Sequence, residues 1–454
     1  MGKTIVSVLL PGHFALFSFG TINHMSFKYD RMTGLRGIFL LLIVLLTASC
    51  ASAPELVAGP VTQNMPASIV PTLTPFQPLV STNIDPYALS ATPQVELTFT
   101  PYPTQYVPAQ GLPATVQIVP PSEANSSNTN NPLTGLLVND PASLQHRPFA
   151  IKIANSPDYV RPQSGLTLAD VVYEYYIEWG DTRFIAVFYS NTPTMVGPVR
   201  SGRFFDEHVT RMYHAFLVFK SADPRELNYL KESDLSDFLV IVGFGGCSPY
   251  FTGPYHRDSY NNQFFNATKW AACATKKGVD NSQQNLRGGF FTEEVPQQEL
   301  TASRIFSRYS EYSYNYWEYD PATHKYFRYQ EANDMVKNKP EAYVPLSDAQ
   351  TGLPVTAENV VMLFVPHIFS NKYNAEDEVF NIDLIDFGSA YVFRDGVVIP
   401  AQWNRVEPDQ PVLLTDLTGN PIYLRPGRTF YQVMGVNSTY TQNGEDWRFV
   451  FQTP

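Results

Sequence analysis

Three short polar stretches hold the side chains best suited to grip an anion: Arg161-Pro-Gln-Ser-Gly165, Glu178-Trp-Gly-Asp-Thr-Arg183 and Gly197-Pro-Val-Arg-Ser-Gly-Arg203. Arginine presents a planar fork of donors that matches the paired oxygens of carboxylate and phosphate. In the third stretch a glycine and a proline precede a helix expected over 201–214. That start would set Arg200, Ser201 and Arg203 beside unpaired backbone N–H groups, a ready anion site. Arg161, Gln163, Ser164, Glu174 and Arg183 complete the candidate ligand-binding set. The competing reading is scaffolding, in which these arginines pair with Asp170, Glu174, Glu178 or Asp206 and hold turns in place.

Other chemistries have less behind them. Glu174 or Glu178 could act as acid or base in a hydrolase directed at a cell-wall polymer. Both fall on one face of a single strand, however, about 13 Å apart by strand rise, whereas such carboxylate pairs work at roughly 5–10 Å. His208 and His214 lie on or next to the apolar side of the expected helix, which suits structural histidines. His256 and Arg257 sit in a loop and are weaker candidates. Cys247 and Cys273 lack a Cys-x-x-Cys or His-x-x-x-His companion, so no metal site is expected. In an oxidising exterior they would instead form a disulfide closing a loop of about 25 residues. Gly243-Phe-Gly-Gly-Cys-Ser248 lacks the Lys-Ser or Lys-Thr of a phosphate-binding loop. No cofactor is implied.

These residues need elements to position them. Phe149 to Ile153 reads as a strand. Val171 to Glu178 and Arg183 to Tyr189 read as a hairpin around Gly180-Asp181, with Glu178 opposite Arg183. Ala215–Phe219 and Phe238–Val242 read as strands on either side of a helix from Pro224 to Lys231. Strands alternating with helices predict a mixed α/β sheet covered by helices in residues 131–298. Beyond Gln298 the pattern turns to short aromatic or β-branched segments separated by Gly, Pro, Asn and Asp, so 299–454 should be mostly β. The fold class expected is α+β.

The N-terminal part is built differently. Met32-Thr-Gly-Leu-Arg36 precedes the apolar run Ile38–Leu46 and then Thr47-Ala-Ser-Cys50. A basic start, a short apolar run and small residues before a cysteine make 1–49 a signal peptide, with Met32 a natural start, and Cys50 the lipidation site. Acyl chains of the palmitate type on Cys50 would anchor the chain in the bilayer. From Ala51 to about Asn130 the chain is rich in Pro, Thr, Ser, Gln and Asn and has no apolar period, which predicts a disordered tether. The whole chain carries a formal charge of -11. Without 1–49 it keeps 27 basic and 41 acidic residues, a net -14, which opposes general nucleic-acid binding.

Several motifs occur together and in order: Asn131-Pro-Leu-Thr-Gly135, Arg161-Pro-Gln-Ser-Gly-Leu166, Ala169-Asp-Val-Val-Tyr-Glu174, Thr182-Arg-Phe184 and Gly197-Pro-Val-Arg-Ser201. Glu358-Asn-Val-Val361, Gly388-Ser-Ala390, Trp403-Asn-Arg405 and Leu424-Arg-Pro-Gly-Arg-Thr429 follow. Over residues 131–436 the chain thereby resembles the YerB-like family of bacterial lipoproteins. The resemblance implies a signal or lipid anchor and two consecutive domains, with no established activity. Family members carry a Pro-His-Asn element after an arginine where this chain has Arg257-Asp-Ser-Tyr-Asn-Asn262, so Asn261 stands in the histidine's place. The expectation is a lipid-anchored protein on the extracytoplasmic face of the cell membrane that binds an anionic cell-wall or protein partner. The alternatives are the hydrolase and an assembly protein that docks a partner through aromatic strands.

Overall fold

In the computed structural model, residues 130–454 are described except 244–245, 254–257, 287–288, 333–339 and 371–377. The expected signal peptide, Cys50 and the tether therefore lie outside the described residues, as do His256 and Arg257. All described residues belong to one compact unit, Val95–Pro454.

Five strands of the first half share a ten-stranded sheet with strands of the second: β1 (Phe149–Ala154), β2 (Val171–Tyr176), β3 (Thr182–Phe188), β4 (Phe216–Phe219) and β5 (Leu239–Ile241). From one edge to the other the order is Leu413–Asp416, Val397–Arg405, Asp386–Arg394, Asn359–Val365, Thr429–Gly435, β2, β3, β1, β4, β5. β1, β4 and β5 run parallel. Thr429–Gly435 lies parallel to both β2 and Asn359–Val365. The sheet therefore continues without a break across Gln298. Its central strands are buried along their whole length, and their near-continuous apolar runs are what a sheet covered on both faces requires.

One face is covered by the helix Phe205–Met212, whose Phe205 ring packs 4.5 Å from Tyr175. The other is covered by a second sheet, in which Tyr343–Pro345, Lys325–Glu331, Tyr314–Asp320, Arg304–Arg308, Asp446–Val450 and Thr439–Asn443 follow in order. Its Trp317 meets Phe430 of the large sheet edge-on at 4.8 Å. The second half is accordingly β-rich, and the first carries the helices.

Two local expectations need correction. The hairpin register differs, because Tyr175 lies opposite Arg183 and Tyr176 opposite Thr182. The turn spans five residues, closed by Ile177 N–H to the Asp181 carbonyl, with Trp179 and Gly180 at positive φ. Glu178 therefore leaves the ladder instead of facing Arg183. The helix begins at Phe205 rather than Ser201. An Asp206 carboxylate oxygen accepts the Arg203 N–H at 2.8 Å, and Asp206 and Glu207 occupy the first turn. The protein's own acidic groups thus fill the place assigned to an external anion.

Candidate functional site

Because side chains alternate across a strand, the large sheet distributes the sequence's polar candidates to opposite faces. Glu174 points under the second sheet. Lys152, Tyr175 and Arg183 point toward the helix Phe205–Met212. The candidate residues consequently form two clusters instead of one cleft.

The first cluster is closed. Glu174, with no exposed surface, accepts hydrogen bonds from Thr182 Oγ1 at 2.9 Å, Asn155 Nδ2 at 3.1 Å and Arg328 Nη2 at 2.8 Å. The Arg328 guanidinium is buried and stands 5.1–5.3 Å from the ring centroids of Phe184, Trp317 and Phe430. Arg161 joins the same network, donating to the Glu331 carboxylate at 2.5 Å, the Glu331 carbonyl at 2.7 Å and the Asn155 carbonyl at 3.0 Å. Burial raises Glu331 to about 8 against the pull of Arg161. Gln163 donates to the Ala154 carbonyl at 3.1 Å, and Ser164 Oγ to the Met195 carbonyl at 2.8 Å. Arg161, Gln163, Ser164 and Glu174 therefore join chain segments and the two sheets. Asp170 does similar work: it accepts Asn131 Nδ2 at 2.7 Å and the Tyr189 N–H at 2.6 Å.

The second cluster is buried but incompletely paired. Lys152, fully buried on β1, pairs with Asp206 at 3.0 Å and contacts the Tyr175 hydroxyl. Burial first, and the neighbouring arginines next, lower the lysine to about 7. Arg203 reaches Glu178 at 2.5 Å and approaches Glu226 at 3.7 Å, while its Nε is buried without a hydrogen-bond partner. Glu226 is itself fully buried with neither carboxylate oxygen hydrogen-bonded, and burial pushes it up to about 7. Arg183 donates to the Ser201 carbonyl at 2.9 Å. Its burial, reinforced by Arg203 and Arg200, places it well below the usual arginine range. Three cations, Lys152, Arg183 and Arg203, thus meet three buried carboxylates, Glu178, Asp206 and Glu226.

Arg200 stands beside this group, acted on by Arg203 and by the carboxylates of Asp258 and Asp181. Its backbone is fixed on both sides, the N–H to the Lys152 carbonyl and the carbonyl to the Lys220 N–H. Its Nε is buried without a partner, and among the described residues it forms no ion pair. Burial and Arg203 lower its affinity for its proton, and the charges of Asp258 and Asp181 offset this in part. Ser201 and Ser221 place their hydroxyls 3.2 Å apart beside it. This is the end of the sheet reached by the carboxyl termini of the parallel strands β1 and β4, where open α/β sheets commonly receive ligands.

Sequence reasoning passed over Lys152, Glu226, Arg328 and Glu331. A lysine inside Phe149-Ala-Ile-Lys-Ile153 was a usable signal, since a cation in a fully apolar strand must find a buried partner. His208 accepts from Arg405 at 2.9 Å and is lowered to about 3 by burial and that arginine, which fits a structural role. The sulfurs of Cys247 and Cys273 are bonded, with Cα atoms 5.6 Å apart. Among the described residues no group of three His, Cys, Asp or Glu could hold a metal, and no helix is long and apolar enough to cross a membrane.

Residues 133–280 match the family described as protein of unknown function (DUF3048), N-terminal domain, and residues 305–431 match its C-terminal domain. This chain belongs to that two-domain, YerB-like family. A curated relative from Bacillus subtilis (strain 168), YerB, named as a candidate lipoprotein, is 27% identical over 309 residues, 67% of this chain and 85% of its own length. The crystal structure of the YerB protein from Bacillus subtilis superposes with a TM-score of 0.56 at 24% identity, covering 67% of this chain and 96% of that one. It shows the same fold. Of the family motifs quoted above, Arg161–Leu166 and Ala169–Glu174 lead into the first cluster, Thr182-Arg-Phe184 contributes to both through Thr182 and Arg183, and Gly197-Pro-Val-Arg-Ser201 leads into the second.

Proposed function

We propose that the chain is a lipoprotein, anchored in the cell membrane through acylated Cys50, whose folded body binds an anionic cell-envelope ligand or partner at Arg200, with Arg183 and Ser201 beside it and Arg203 behind. The observation that carries this reading is the Arg200 guanidinium, fixed by its backbone, partly buried and without an acceptor among the described residues. An arriving anion supplies the acceptor that the buried Nε–H lacks. Glu178 and Asp206 hold Arg203 and Lys152 at home and leave Arg200 for the ligand.

The hydrolase alternative draws no support from the carboxylates. Glu174 is enclosed beneath the second sheet with Arg328, and Glu178 is committed to Arg203. The proposal is tested with the full chain in detergent, titrated with inorganic phosphate and incubated with sedimentable cell-wall material. Arg200→Ala should weaken both interactions at least about tenfold, with Arg200→Lys intermediate. Unchanged binding by Arg200→Ala would refute the site. Replacing Cys50 with Ala should release the chain from the membrane fraction.

A further inference from the structure

The loop whose Asp258 acts on Arg200 holds a second unmet group, of opposite kind. Asn261 is 3% exposed, and its Nδ2 donates to Asp258 at 3.0 Å and to the Tyr159 hydroxyl at 3.2 Å. Those bonds fix which end of the amide faces away, and its Oδ1 is left buried without a donor. Asp258 also accepts the Tyr159 hydroxyl and the N–H groups of Tyr260 and Asn261, both at 2.7 Å, so one carboxylate organises all three residues. Lys220, whose N–H bonds the Arg200 carbonyl, donates from Nζ to the Tyr260 carbonyl at 3.2 Å. This joins the loop to the Arg200 segment. The charge of Asp258 and the Tyr159 hydroxyl both act on Arg200. The rings of Tyr159 and Tyr260 remain 52% and 70% exposed.

From this arrangement we infer that the ligand is a hydroxylated anion, an acidic or phosphorylated sugar or polyol, with Arg200 taking the anion, Asn261 Oδ1 a hydroxyl and the tyrosine rings the carbon face. The inference rests on the anion site at Arg200 and narrows what it accepts. A simple carboxylate supplies only acceptors and leaves Asn261 unmet, and the hydroxyl of inorganic phosphate at neutral pH sits on the anion itself rather than on a separate carbon. A hydroxyl near the anion meets both groups at once, and leaving a buried acceptor unpaired is what makes such sites selective. An aromatic ring with one wet edge and one apolar face suits a ligand whose polar and apolar faces alternate.

The test is titration of the full chain in detergent, followed by NMR, with inorganic phosphate, glucose 6-phosphate, glucuronate and glucose. Glucose 6-phosphate or glucuronate should bind at least about tenfold tighter than inorganic phosphate and than glucose, and whichever binds tighter identifies the anion as phosphate or carboxylate. Tyr260→Ala, at an exposed position that leaves the fold intact, should remove that advantage while inorganic phosphate binds as before. Equal affinity for inorganic phosphate and both sugars, still dependent on Arg200, would overturn this inference and leave the anion site standing. If no probe binds, both readings fall. An advantage that survives both Tyr260→Ala and Asn261→Leu would also overturn it.

Discussion

Two arginine clusters lie on opposite faces of one sheet, and they are finished to different degrees. On the face covered by the second sheet, Arg328 and Arg161 meet Glu174 and Glu331 with almost every oxygen bonded. On the helix face, Arg200 has no acceptor among the described residues, Arg203 has an idle Nε, and Glu226 lacks any hydrogen bond. Burying a charge is tolerated when its partner is at hand. The contrast therefore teaches that the arginines resembling a site in the sequence divide into a mortar that is complete and a receptor that is not. Composition cannot separate the two; only their partners can.

The comparison can be broken most forcefully at Glu174. Glu174→Ala strands Arg328 in the interior and should cost about 3–5 kcal/mol in urea unfolding. The double change Glu174→Leu with Arg328→Met should recover most of that loss, and failure to recover it would mean the cluster is more than a buried pair. Next, Cys273→Ala opens a loop closed across a separation of 26 residues and should cost about 2–4 kcal/mol under non-reducing conditions.

A smaller effect should appear at Glu226 and should depend on pH. Burial raises its carboxyl from 4.5 to about 7, so protonation favours the folded chain between these values. The contribution to stability is largest below about 4.5 and falls as pH rises to about 7. Glu226→Gln should flatten that slope and stabilise the chain at neutral pH by roughly 1–3 kcal/mol. A slope unchanged by the substitution would assign it to another group.

The smallest expected change in stability is at Arg200. Arg200→Ala removes a charge with no partner and should shift the unfolding free energy by no more than about 0.5 kcal/mol, while anion binding falls as described above. By contrast, Arg161→Ala should destabilise by roughly 2–3 kcal/mol, because it abandons Glu331. Equal losses at the two arginines would erase the distinction between the clusters.

Much of this organisation was legible in advance. The strands of the first half follow from their apolar runs, and the second half's β-rich character follows from its regular turn residues. Longer-range facts were hidden. Nothing local in Val171–Tyr176 indicates that its neighbour is Thr429–Gly435, because pairing between distant strands is decided by packing of both faces. Glu174 looked available because Arg328, more than 150 positions away, is not visible from its own motif. The helix start was misplaced by four residues because Asp206, read only as a possible ion-pair partner, caps the backbone at Arg203. The aromatic content, which suggested docking strands, is mostly consumed in the core, with Trp179 and Tyr260 among the few rings left well exposed.

The position of Thr429–Gly435 has a consequence for how the chain comes to be folded. It is central in the sheet and among the last strands to be synthesised. Until it arrives, β2 is the border of a partial sheet formed by β2, β3, β1, β4 and β5. An uncovered apolar border of this kind invites pairing with other chains. The emerging polypeptide must therefore be shielded for the time needed to make some 190 further residues, which ties its production to whatever holds unfinished chains apart.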